Sequence, residues 1–218
     1  MDIRLYAIGM DEVVTMYGAA AEGAPEATQL REIGERGCRP EAEEAPRGLG
    51  RFFARRTRTL TEVDPDEPDA DDVEAFLTGD SIAPHRVRAA WRLQERLIAG
   101  RAWGSFSLPY GTQDVDQVDF ALARGGVSAA VGLRHLFAST TPISLVSQHD
   151  LVVGWHDHDR AHQMAESFRT ALDEVPTEQR DQVVQLVDWL DQLDTWAEQA
   201  AAAGRPRPDL IGFWYLPR

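Results

Sequence analysis

The chain has 218 residues, 43% of them hydrophobic, which is enough for one substantial buried core. Its 36 acidic residues against 22 basic ones leave a net charge of −14. Such a surface repels nucleic acid and anionic lipid and favours a basic partner. All the basic residues are arginine, which excludes Schiff-base, pyridoxal-phosphate and Walker-type chemistry, each of which needs a lysine amine.

The first residues, Met1-Asp2-Ile3-Arg4, lack the apolar stretch of a signal peptide, and no window approaches the ~20 apolar residues of a membrane span. The expectation is a cytoplasmic protein with no membrane association. Residues 3 to 8 alternate as a strand with a buried face. Asp11 is placed to cap a short helix that ends at Gly18, and a weaker helical pattern follows over residues 27 to 35.

From residue 37 to 72 apolar content collapses, and four prolines interrupt any regular structure. An arginine run (Arg47, Arg51, Arg55, Arg56, Arg58) precedes an acidic run over residues 62 to 74. This segment reads as a flexible charged insertion within a single domain covering residues 1 to 218. The sole cysteine, Cys38, lies at its edge, so no internal disulfide is possible.

Pro84 suits the first turn of a helix that ends near Gly100, with Val87, Ala90, Trp91 and Ile98 on its apolar face. The aromatic stretch from Trp103 to Tyr110 predicts a short strand, and helices are expected over residues 112 to 124 and 128 to 137. A buried strand at residues 151 to 155 precedes a helix from Asp159 to Glu174. Thr177 then starts a long helix with Val183, Leu186, Val187, Leu190 and Leu193 inward, closed by Gly204, Pro206 and Pro208. Residues 210 to 216 form a last, continuously apolar strand. The pattern predicts an α+β fold: a small, mostly buried sheet of three or four strands covered by about five to seven helices, with the first and last strands paired at its centre.

Three groups of residues are candidate sites. His149, His156, His158 and His162 are four of the six histidines, interleaved with Asp150, Asp157 and Asp159. His158, His162 and Glu166 fall one turn apart on a helix and would suit a zinc ion with an open position, joined by His156. The spacing departs from the metallo-β-lactamase signature, because Arg160 and Ala161 stand where it needs aspartate and histidine. The competing reading is a solvated helix start capped by Asp157 or Asp159.

The second group is the acidic run Asp64, Asp66, Glu67, Asp69, Asp71 and Asp72, a candidate surface for a basic protein. The third is the stripe Arg88, Arg92 and Arg96, spaced to grip an anion. Its alternative is pairing with Glu95 and the acidic run. No G-x-S-x-G elbow or complete dinucleotide fingerprint is present. Two functions are therefore expected from different classes. One is an inhibitor- or immunity-like protein that binds a basic partner and uses no cofactor. The other is a zinc-dependent hydrolase or metal-binding regulator. Nucleic acid is not an expected partner.

Overall fold

The computed structural model describes residues 2–36, 38, 64 and 66–217. The arginine run at 47–58 and most of the expected insertion lie outside them. In chain order the elements are β1 (Asp2–Ile8), α1 (Met10–Met16), α2 (Ala27–Glu35), α3 (Ala70–Thr78), α4 (Val87–Arg101), β2 (Gly104–Leu108), α5 (Thr112–Arg124), α6 (Leu133–Leu136), β3 (Leu151–His156), α7 (His158–Thr170), α8 (Thr177–Leu190), α9 (Leu193–Ala202) and β4 (Asp209–Tyr215). Short 3₁₀ turns precede α4 and α6 and follow α7. The fold is α+β, and the chain divides into two compact units: Met1–Tyr17 with Ile98–Arg218, and Gly18–Leu97.

The first unit is built on an antiparallel sheet of order β2-β1-β4-β3. β1 and β4 pair centrally, Asp2 opposite Tyr215 through Ile8 opposite Asp209. β4, covered on both faces, therefore reads as an unbroken apolar run from Leu210 to Tyr215, while β1 keeps Arg4 exposed. Ile3, Leu5, Leu210 and Trp214 point to a core shared with Val118 and Leu122 of α5, Met164 and Phe168 of α7, and Leu186 and Leu190 of α8. Tyr6, Ile8, Ile211 and Phe213, on the opposite face, are buried as well. The edge strand β2 instead alternates, with Ser105 and Ser107 exposed.

Close packing requires a glycine in the middle of β3. A Cβ on Gly154 would sit 2.0 Å from the Leu136 carbonyl oxygen, so only glycine lets the end of α6 lie against this strand. The segment after α6 then runs beside β3. Ser139 Oγ accepts the Trp155 N–H at 3.0 Å and donates to the Trp155 carbonyl at 2.7 Å, which satisfies part of the sheet edge.

The long helix expected from Thr177 is two helices. Asp191 and Gln192 form a turn, and Leu193 returns to the core at the start of α9. Arg169 of α7 pairs with Asp191 at that turn.

The second unit holds α2, α3 and α4 through Leu97. Leu30 and Ile33 of α2, Val73, Phe76 and Leu77 of α3, and Val87, Ala90, Trp91, Leu93 and Leu97 of α4 are among its buried residues. Residues 69–72, expected within the flexible insertion, begin a helix. Asp69 accepts the Asp72 N–H at 3.0 Å and Asp72 accepts the Asp69 N–H at 2.9 Å, a reciprocal capping box. Gly79, at φ 75°, ends α3 in the left-handed conformation. Cys38 donates its thiol to the Gly34 carbonyl at 3.2 Å, and burial raises its pKa, so it lacks the character of a nucleophile.

Candidate functional site

In the second unit the acidic run and the arginine stripe meet each other. Arg88 pairs with Asp66 at 3.2 Å and Arg92 with Asp64 at 2.6 Å and Glu67 at 3.4 Å. Arg96 also reaches Glu67 and donates to the Gly34 carbonyl at 3.1 Å. Arg86, which precedes the helical stripe and is not singled out by its spacing, is the best placed of the four. Its Nε donates to Asp72 at 2.9 Å, and its terminal nitrogen reaches Asp69 at 3.2 Å and the Glu67 carbonyl at 3.2 Å.

Burial pushes the Asp72 carboxyl up, but the Arg86 guanidinium and the Asp69 backbone N–H outweigh it and hold the pKa below the usual value. The fork of Arg86 thus ties the capping box of α3 to the start of α4. Asp71 points out to solvent.

The histidines of the first unit separate into two places. His156 is the last residue of β3 and lies opposite Leu210, on the core face. It is 1% exposed, and neither ring nitrogen has a hydrogen-bond partner. Its nearest ring is His135 of α6, 5.6 Å away between centroids. Burial first, then the nearby Arg160 guanidinium, push its pKa down to about 4, so it is neutral at physiological pH.

His158 starts α7, behind the Asp157 N-cap, whose carboxylate accepts the Arg160 N–H at 2.8 Å. Its Nδ1 donates to the Pro208 carbonyl at 2.8 Å, which leaves Nε2 facing Asp194 of α9 at 3.4 Å. His162 meets the same carboxylate at 3.5 Å and Glu166 at 3.9 Å. His158, His162 and Glu166 are therefore neighbours, joined by an Asp194 that no local spacing could reveal, while His156 stands apart. Among the described residues, no group of three or more histidine, cysteine or acidic side chains is arranged to hold a metal ion. His149 lies in an exposed loop before β3.

A cleft of about 590 Å³ opens where β1 and β3 end and β4 begins. Met10 and Val14 of α1, Pro142 and Trp155 give it apolar walls; Thr15, Asp11 and Asp209 add polar groups. Asp209 accepts the Met10 N–H at 2.8 Å and the His158 N–H at 3.0 Å, joining the starts of α1 and α7. Burial raises its pKa against the lowering effect of those two bonds. Trp155 is fixed from the other side by its indole N–H, which donates to the Thr140 carbonyl at 3.1 Å.

The outer face of α8 is the remaining charged feature. Glu178, Asp181 and Asp188 share one exposed stripe, opposite the buried Val183, Leu186, Val187 and Leu190. Among the described residues, these three and Glu198 of α9 make no salt bridge. The one arginine of the two helices, Arg180, is turned to the Val175 and Asp173 carbonyls.

These features define an acidic α+β protein with an open cleft and a negatively charged helical face, and no helix among the described residues is long and apolar enough to cross a membrane. The chain belongs to the family described as Domain of unknown function (DUF7691), which matches residues 1–215. No curated protein and no solved structure matches it.

Proposed function

We propose that the chain is a non-catalytic binding protein, of inhibitor or immunity type, that recognises a basic protein partner. The observation that carries this reading is the α8 stripe. Where Asp64, Asp66, Glu67, Asp69 and Asp72 are met by arginines of their own unit, Glu178, Asp181 and Asp188 face solvent without a salt bridge among the described residues. Among the described residues none of the three has a salt bridge to give up before a partner binds; Arg169, which feels the charge of Asp188, is paired with Asp191 instead. The three also steer a cationic partner over distances of about a Debye length, ~10 Å at 0.1 M salt.

The test is affinity capture from the native host with the wild-type protein and with the triple variant Glu178→Gln, Asp181→Asn, Asp188→Asn. The captured protein is then purified and titrated at about 50 mM and about 300 mM salt. A basic partner, bound at least about tenfold more weakly at the higher salt and by the triple variant, is expected. An acidic partner, or affinity indifferent to salt and to the variant, would sink the proposal.

A further inference from the structure

We infer that the cleft between α1 and the end of β3 is a receptor for an arginine side chain of that basic partner, with Trp155 as the stacking surface and Asp11 as the counter-ion. The receptor deepens the basic-partner reading and rests on it. The cleft is mixed in character. Met10, Val14 and Pro142 offer apolar wall, and Val14 is one of the few large hydrophobic side chains left exposed among the described residues, at 39%. The ionisable groups of the lining, Asp11 and Asp209, are both acidic.

A long aliphatic stem ending in a planar cation matches this combination. The stem covers apolar wall while the guanidinium stacks on an indole and donates to a carboxylate. Neutral apolar ligands would leave the Asp11 carboxylate to be desolvated without a partner, and anions would be repelled. The volume, about 590 Å³, exceeds one side chain and leaves room for the backbone that presents it.

The two polar walls differ in role. Asp209 holds both carboxylate oxygens on backbone N–H groups, which fixes the floor and the start of α1. Asp11, in the first turn of α1, is exposed and makes no salt bridge among the described residues. Trp155 needs no rearrangement to stack, because its backbone is held by Ser139 and its indole N–H by Thr140. A receptor already ordered loses little conformational entropy on binding.

The test uses the full chain and two peptides, acetyl-Gly-Arg-Gly-amide and the same peptide with citrulline, which keeps the shape and removes the charge. Binding is followed by NMR at the Trp155 indole N–H, assigned by its loss in Trp155→Phe. The arginine peptide is expected to shift that signal, and the citrulline peptide to need at least about tenfold more. Asp11→Asn, at an exposed position, should weaken the arginine peptide by about threefold or more without disturbing the fold.

No shift at about 10 mM arginine peptide, equal binding of the citrulline peptide, or an unchanged affinity in Asp11→Asn would each overturn the inference. Neither peptide involves α8. A failed titration therefore leaves the α8 reading standing, and a failure of the α8 variant leaves the cleft result standing.

Discussion

Residues 64–96 and the outer face of α8 are both rich in carboxylates, yet the fold treats them in opposite ways. In the first region each of Arg86, Arg88, Arg92 and Arg96 turns onto an acid some 14 to 29 positions earlier. In the second, the acids lie on a helix whose own arginine is engaged with backbone carbonyls. Net charge therefore says little about where a partner would bind. What matters is which carboxylates have no cation within reach once the chain is folded. A dense run of charge in sequence is the place where pairing is easiest, and so a poor guide to free charge.

The sharpest way to break the comparison is to remove the hub of the paired region. Arg86→Ala leaves Asp72, whose side chain is only 11% exposed, without its cation, and loosens the capping box of α3. Losing one partner of a largely buried pair is expected to cost about 3 kcal/mol, read as a lower midpoint in urea unfolding at neutral pH. An unchanged midpoint would mean that the network is decoration. Arg92, whose partner Asp64 is half exposed, makes the natural control, with an expected loss of less than about 1 kcal/mol.

Acid separates the two units as well. His156 is held neutral in the folded state down to about pH 4, against an ordinary value of 6.5. A histidine with a depressed pKa contributes stability that is complete above the unfolded value and is lost as pH falls toward the folded one. The Asp72 pKa is lowered from its ordinary 3.8, so its contribution persists to lower pH and fades only below that value. Between pH 6.5 and 5 the loss therefore belongs to the unit that holds His156. His156→Leu removes the titration and the two unpartnered ring nitrogens. At pH 5 the variant should keep about 2 kcal/mol more of its neutral-pH stability than the wild type. Denaturant unfolding at the two pH values checks this, and parallel losses in both proteins would reject it.

Much of the architecture is legible in the residues. The unbroken apolar character of residues 210 to 216 and the pattern of residues 3 to 8 identify two strands at the centre of the sheet, where they are. The capping box at Asp69 and Asp72 is written in the sequence too, but its two aspartates are hard to see as a helix start inside a longer acidic run. The histidine group is only partly legible. Alternation along β3 sends His156 to the core face, while His158, two residues later, already belongs to a helix and turns to Asp194. Proximity along the chain could not reveal that parting. The cleft is least legible of all. It draws on α1, the loop after α6, the end of β3 and the start of β4, so its Trp155, Asp11 and Asp209 are neighbours only in the folded chain.

The smallest expected effect is also the one that defines the unpaired region. If the α8 carboxylates have no structural partner, then Glu178→Gln, Asp181→Asn and Asp188→Asn together should leave stability within about 0.5 kcal/mol of the wild type. The net shift should be small, because relief of the repulsion between Glu178 and Asp181, one turn apart, is offset by the loss of the favourable acid Glu178 from the first turn of the helix. The shift should shrink in high salt, where both effects are screened. Thermal unfolding in low and high salt measures it. A clear destabilisation would mean that these acids help to hold the helix, and the contrast with residues 64–96 would fail. A neutral or slightly stabilising result, beside a large loss in Arg86→Ala, would mean that the fold does not need the α8 charge.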